Sequence, residues 1–417
     1  MGSGPARGDA SASVIEATWR AEAASMLGVL ARRLGDLDRA EEALQEAMAE
    51  ALTRWPADGV PDRPAGWLVT TAWRKAVDRL RRDAVGQDKL AALAGIPAPE
   101  PSDDDRLALI FACCHPALGQ PAQVALTLHA ASGLSTPAIA AAFLVSPTTM
   151  AQRLVRAKRR LREAGVRFDP PGPAEIPQRL PAVLGVIYLV FNEGYLAADA
   201  DTPQRRELAR EGLELARQVA ALVPGEPEAA GLAALLELHE ARAAARFDEA
   251  GRLVLLEEQD RGLWDRELIS RALVRLAAAV ARDRPGPYQV QASIAAQHAV
   301  APTFEATDWA RIRAYYDLLY ELQPSPVVLL NRTVATRFVH GPQAALDELD
   351  AVAPRLGEYR LLYATRAELL LALGRHEEAV AATRRAIALT TNPAERELLT
   401  RRLRSSPAPS AAQGAEC

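Results

Sequence analysis

Residues 133–161 read GLSTPAIAAAFLVSPTTMAQRLVRAKRRL and hold the densest grouping of side chains suited to one chemical task. Ser135 has the chemistry of an N-cap, with Pro137 just inside, and opens a short helix through Ile139, Ala140 and Phe143. A turn over residues 144–146 follows. A second helix begins at Pro147/Thr148 and carries Met150, Leu154, Ala157 and Leu161 on one stripe. Two helices joined this way form a helix-turn-helix pattern, whose second helix enters the major groove of DNA. The first residues of that helix face base edges, and later cations meet phosphates. The spacing therefore nominates Thr148, Thr149, Gln152 and Arg153 for base edges, with Gln152 and Arg153 foremost. Arg156, Lys158, Arg159 and Arg160 are nominated for phosphate.

Other chemistry-bearing residues lead nowhere comparable. Cys113-Cys114-His115 invites a zinc reading, but adjacent cysteines do not share a tetrahedral ion easily and no second ligand pair follows at finger spacing. In the apolar setting of Leu107, Leu109, Ile110 and Phe111 they read as buried packing. His129, His239, His298, His340 and His376 have no ligand or catalytic spacing, and no glycine-rich phosphate loop occurs. No metal, cofactor or enzymatic activity is expected.

The chain has 417 residues, 49% of them hydrophobic, with no apolar stretch of the roughly 20 residues a membrane span needs. Met1 to Ser13 is small and polar rather than signal-like and reads as a disordered leader. Three cysteines, two of them adjacent, make no disulfide framework and fit a reducing cytoplasm. The net charge of −4 divides into +2 over residues 1–167 and −6 over the remainder, which favours the front for nucleic acid.

Nearly every long segment shows apolar residues at helical spacing and none alternates like a strand, so the fold is read as all-α. Proline clusters at residues 97–101 and 170–173 break it into blocks. The expected organisation is a disordered leader (1–13), a first helical module (14–85), a linker (86–103), a second module with the helix-turn-helix (104–167), a helical-repeat domain (168–404) and a disordered tail (405–417). In the first module, helices are expected over residues 13–34 and 38–55, a loop over 56–63, and a third helix from Pro64 to Arg82. Ala40, Ala43, Leu44, Ala47, Met48, Ala51, Leu52 and Trp55 form the apolar stripe of the second helix, and Trp67 and Trp73 of the third read as core. Tyr363, Ala367, Leu370, Gly374, His376, Ala379, Ala386 and Pro393 recur near the tetratricopeptide period, with weaker echoes at residues 245–250 and around Gly341 and Ala345. Asn192, Glu193 and Tyr195, with Gln259, Asp260, Arg261 and Trp264, are the densest polar-aromatic clusters of the last block.

These blocks, in this order, resemble the extracytoplasmic-function sigma factors of the sigma-70 family, in the subgroup with a tetratricopeptide-like C-terminal extension. The run from Asp36 to Met48 is similar to that family's acidic helix. Pro64-Ala-Gly-Trp67-Leu68 with Ala76-Val-Asp78-Arg79-Leu-Arg81-Arg82 is similar to its promoter-melting segment. Ile139-Ala140, Ser146, Thr149, Arg153-Leu154, Arg156-Ala157 and Arg160 match its promoter-reading motif. Residues 111–118, 188–195 and 251–261 resemble blocks of the extended subgroup. The resemblance implies that Glu42, Gln45, Glu46 and Glu50 dock on the β′ clamp of core RNA polymerase. It also implies that Arg74, Lys75, Arg79 and Arg82 meet the −10 element. Thr148, Thr149, Gln152, Arg153, Arg156, Lys158 and Arg160 would read the −35 element, with the β flap as a second polymerase contact. The extension would regulate the sigma core or bind a protein partner. Two other functions fit the residues: a helix-turn-helix regulator with a helical sensor domain, and a tetratricopeptide-type scaffold.

Overall fold

A computed structural model describes residues 5–82, 98–143, 145–195 and 203–405. The regular elements among the described residues are helices, with one isolated bridge between Phe247 and Leu253 and no strand. The expected turn residue Leu144, most of the expected linker and nearly all of the expected tail lie outside them.

The chain divides into two compact units. The first contains α1 (Pro5–Leu34), α2 (Leu37–Asp58), α3 (Pro64–Arg82), α4 (Asp103–Cys113), α5 (Gln120–Ala130), α6 (Thr136–Ala142) and α7 (Pro147–Glu163). Most of α8 (Ile176–Tyr195) and α9 (Pro203–Leu222) belong to it too, so the unit runs past the proline break at residues 170–173. Arg179 of α8 donates to the carbonyl of Phe111 at 2.9 Å. Gly212 of α9 sits so close to Phe191 that an added Cβ would lie 2.7 Å from its backbone nitrogen.

Local sequence explains the helix limits. α1 reaches back to Pro5, into the stretch read as a disordered leader, because proline suits a first turn and alanine-rich sequence continues it. Asp36 caps α2, its carboxylate accepting from the Arg39 amide at 3.2 Å. α2 does not stop at Pro56 as expected. It continues to Asp58, and Gly59 closes it at φ +90°, its amide donating to the Trp55 carbonyl. Ser102 and Asp105 form a reciprocal capping box on α4.

α1 is the hub of this unit. It packs on α2, α3, α4 and α5 and joins the first helical module to the second. Arg32 meets the fully buried carboxylate of Asp105 at 2.8 Å, and Trp19 donates from Nε1 to the Gly133 carbonyl at 3.0 Å. Gly28 is required at this crossing, since a Cβ there would stand 2.2 Å from the Asp105 carbonyl oxygen.

The second unit stacks helices in chain order: α10 (Pro227–Glu240), α11 (Arg266–Val280), α12 (Pro287–Val300), α13 (Trp309–Leu322), α14 (Pro326–His340), α15 (Pro342–Leu356), α16 (Arg360–Ala372), α17 (His376–Leu389) and α18 (Pro393–Ser405). From α12 onward each helix packs on the next, the arrangement of a helical repeat array. Gly374, at φ +73°, turns α16 into α17, and Ala367, Leu370, Ala379 and Ala382 share their core. The echo read at residues 245–250 is not a helix pair. The Asp248 carboxylate there takes the amides of Ala250 and Arg252, and Gly251 turns at φ +74°, which folds the segment into a loop.

Candidate nucleic-acid and polymerase interface

Met150, Leu154, Ala157 and Leu161 are all buried, which fixes the rotation of α7 about its axis. Thr148, Thr149, Gln152, Arg156, Arg159 and Arg160 consequently face solvent, with Arg153 half-buried at the edge of that face. Ser146 caps the helix, accepting from the Thr149 amide at 3.1 Å, and its hydroxyl lies 2.8 Å from that of Thr149. Arg156 folds back on Gln152 through its carbonyl (3.2 Å) and side-chain oxygen (3.5 Å). Among the described residues, Arg153, Arg156 and Arg160 have no carboxylate partner, whereas Arg159 pairs with Glu163. A helix with hydroxyls in its first turn, then an amide and three guanidiniums without carboxylate partners among the described residues spread along its length, is equipped to meet base edges and phosphates.

Lys158 is placed differently. It points away from that face, its side chain 10% exposed, with Nζ 2.7 Å from Asp38 and 2.8 Å from Glu41 of α2. Arg162 joins the same contact, reaching Asp36 at 2.9 Å and Asp38 at 2.6 Å. His129 of α5 stands 3.5 Å from Glu41, close enough for charge attraction but at the outer limit of a hydrogen bond. Burial pushes the Glu41 carboxyl upward, yet His129 and Lys158 outweigh it and hold the pKa below the usual range. Burial opposes protonation of His129 and Lys158 too, and Glu41 prevails over it, raising both. The three groups thus form a mutually stabilised cluster joining α2, α5 and α7. The sequence reading missed it. The one available signal is a carboxylate, Glu41, set beside Ala40 and Leu44 in an apolar stripe.

The residues assigned separately to polymerase and to the −10 element also meet. Arg79 of α3 pairs with both Glu42 and Glu46, and Lys75 lies 2.8 Å from Glu50. Lys75 draws the Glu50 carboxyl below its ordinary pKa, with Arg54 helping from 3.3 Å. Gln45 remains exposed on α2, and Arg74 and Arg82 remain exposed on α3 without a carboxylate partner among the described residues. Trp73 is buried, while Trp67 is half-buried and edge-on to buried Trp55 at 5.4 Å.

Cys113 and Cys114 are buried, their sulfurs 3.8 Å from the Leu126 carbonyl and 3.7 Å from the Thr127 hydroxyl. Burial raises both thiol pKa values, that of Cys114 to about 12. In the second unit, Tyr195, Arg261 and Trp264 gather with residues the sequence reading passed over. Arg246 lies 3.7 Å over the Tyr195 ring, and Arg242 donates to the Tyr195 hydroxyl at 3.0 Å. Arg242 and Arg261 sit 5.9 and 4.5 Å over Trp264.

Comparison with known proteins follows this division. Residues 19–85 match the model for sigma-70 region 2, and residues 108–161 match that for sigma-70 region 4. Residues 179–280 match a family of unknown function, and residues 362–393 match a tetratricopeptide repeat. An uncharacterized protein of Rhizobium meliloti (strain 1021) is 45% identical over 381 residues, 88% of this chain and 90% of that protein. A probable ECF RNA polymerase sigma factor, SigI, of Mycobacterium tuberculosis is 28% identical over 163 residues, 36% of this chain and 56% of its own length. No solved structure matches.

Proposed function

Because the chain belongs to the extracytoplasmic-function branch of the sigma-70 family, with a tetratricopeptide-like extension, we propose that it directs core RNA polymerase to specific promoters and that the extension regulates this activity. Family membership implies polymerase and promoter DNA as partners. No single helix among the described residues is long and apolar enough to cross a membrane.

The observation that carries the reading is the outer face of α7, where Thr148, Gln152, Arg153, Arg156 and Arg160 have no carboxylate partner among the described residues. We assign Gln152 and Arg153 to −35 base edges and Arg156 and Arg160 to phosphate. On α2, Glu42, Gln45, Glu46 and Glu50 are the docking surface for the β′ clamp. On α3, Arg74 and Arg82 are the −10 cations available at once, while Lys75 and Arg79 first have to leave Glu50, Glu42 and Glu46. Lys158 becomes a phosphate contact only after it leaves Asp38 and Glu41. These pairings support a resting form of the free chain in which the polymerase-docking helix and the −35 reader are clamped together.

Mixing the purified chain with core polymerase tests the function. Co-elution and run-off transcription from a specific promoter are expected. Binding to bare duplex DNA without polymerase association would instead make it a helix-turn-helix regulator, and neither interaction would leave a scaffold. For the extension, a chain ending after Leu222 is the informative truncation, because α8 and α9 pack within the first unit. Unchanged promoter-specific transcription by that chain would remove the regulatory role.

A further inference from the structure

Within the second unit, α12, α13 and α14, with the loop at residues 255–257, line an open cavity of about 300 Å³, the scale of a small-molecule pocket. Trp309 and Phe338 form its wall, stacked at 4.0 Å between ring centres and 15° between planes. Phe304 stands edge-on to both, at 5.3 and 5.6 Å. Phe338 is 40% exposed, while every other aromatic side chain among the described residues is buried or half-buried. A large apolar ring left open beside a cavity costs solvation free energy that a flat ligand would recover.

The charges around the cavity are unevenly matched. At one rim Arg402 pairs with Glu368 and lies 3.6 Å from Glu257, and Arg337 lies 4.0 Å from Glu368, so this side compensates itself. His298 forms another part of the lining, edge-on to Trp309 at 5.2 Å. Behind it Arg261 donates through Nη1 to the carbonyls of His298 (2.5 Å) and Ala301 (2.8 Å), leaving Nη2 without a partner. Trp264, 2% exposed, lies beneath the Arg261 guanidinium with its indole N–H also unpartnered. Neither Arg242 nor Arg261 makes an ion pair among the described residues, although Glu305 senses Arg261 through space. Burial and then the two arginines lower the His298 pKa to about 4, and its buried Nδ1 has no hydrogen-bond partner among the described residues. Arg242 and Arg261 stand behind His298 rather than on the cavity surface, and their charge reaches His298 through space, so uncompensated guanidiniums favour an anionic group at that wall through their field.

We propose that this cavity is a receptor site for a small planar aromatic anion, its ring packed on Phe338 and Trp309 and its acid group held at the His298 wall. The proposal deepens the reading of the extension as a regulatory domain, but it is tested by binding alone, so failure of the transcriptional role leaves it standing.

The probes are 8-anilinonaphthalene-1-sulfonate and N-phenyl-1-naphthylamine, which share one aromatic body and differ by the sulfonate. Fluorescence titration of the full chain should show saturable one-to-one binding of the sulfonate, at least tenfold tighter than its uncharged counterpart. Phe338→Ala should weaken both probes at least tenfold. Arg261→Gln should weaken the sulfonate alone, bringing the two to parity. Since Arg261 also ties two carbonyls, Arg242→Gln repeats this arm, and circular dichroism verifies that each variant is folded. Unsaturable binding, or sulfonate affinity unchanged in folded Phe338→Ala, would overturn the site. Equal affinity of the two probes for the unaltered chain would overturn its preference for an anion.

Discussion

Replacing Lys158 with methionine removes the charge that joins α7 to α2 while keeping a long, flexible stem to fill the same space. Lys158 and Glu41 are 10% and 11% exposed, so the Glu41 carboxylate would lose its nearer cation in a largely dry setting. Removing one partner of a fully buried pair costs about 3–5 kcal/mol. His129 remains beside Glu41 and some water reaches it, so about 2–3 kcal/mol is the reasonable expectation here. At 1.36 kcal/mol per decade, this shifts the balance between clamped and open forms by roughly 30- to 150-fold toward open. Under the proposed clamp, affinity for core polymerase scales with the open fraction, so the dissociation constant should tighten by up to that factor, levelling off once the open form predominates. Spin labels at Ala49→Cys on α2 and Val155→Cys on α7, both exposed sites, report the separation directly, with Cys417 changed to serine. The distance distribution should broaden to longer values in Lys158→Met. An unchanged distribution together with an unchanged polymerase affinity, in a folded variant, would refute the clamp.

Three other outcomes are expected. The raised pKa of His129 means that its contribution to the clamp is complete below its ordinary value of 6.5 and is lost as pH rises through the raised one. The lowered pKa of Glu41 gives a contribution present above 4.5 and lost as pH falls through the lowered value, so the same spin labels should report the tightest clamp between those limits. His129→Gln should flatten the alkaline limb. In holoenzyme binding measured by fluorescence anisotropy, Arg153→Ala should cost about 1–3 kcal/mol at one −35 position and relax its sequence preference. Arg160→Ala should instead weaken binding uniformly and reduce the salt slope by about 1. Gly28→Ala should lower the thermal stability of the chain by at least 1–3 kcal/mol, about the usual cost of overpacking, because the new Cβ meets backbone rather than a movable side chain.

The legible parts of this molecule are those set by short-range periodicity. The stripe Met150, Leu154, Ala157 and Leu161 is buried as read, and so are Ala40, Ala43, Leu44, Ala47, Ala51 and Trp55. Leu52 departs from its stripe at 51% exposed, because the 3.6-residue period carries it past the edge of the buried face. The cluster of Asp36, Asp38 and Glu41 with His129, Lys158 and Arg162 was illegible. Its members lie up to 126 residues apart, and apart from Glu41 beside its apolar stripe none stands out alone in the sequence. The same holds for Tyr195, Arg261 and Trp264, which were visible as rich segments but not as one assembly, and for Arg242, which no segment pointed to. The loop at residues 245–250 imitated a repeat because its Ala and Phe spacing matched, while side-chain capping by Asp248 decided the backbone.

α2 carries two acidic rows, and each is already occupied. Asp36, Asp38 and Glu41 hold Lys158 and Arg162 of the proposed −35 reader, while Glu42, Glu46 and Glu50 hold Arg79 and Lys75 of the proposed −10 surface. A basic polymerase surface docking on the second row would have to displace those cations, and displacement would release them for the single-stranded backbone. The cost of parting them is modest on exposed α2–α3 pairs, about 0–1 kcal/mol each, so polymerase can take the carboxylates without unfolding the module. The Lys158 cluster is better shielded and resists longer. Polymerase docking would therefore free the −10 cations first and the −35 reader second, and promoter contact would be strongest only in the assembled holoenzyme.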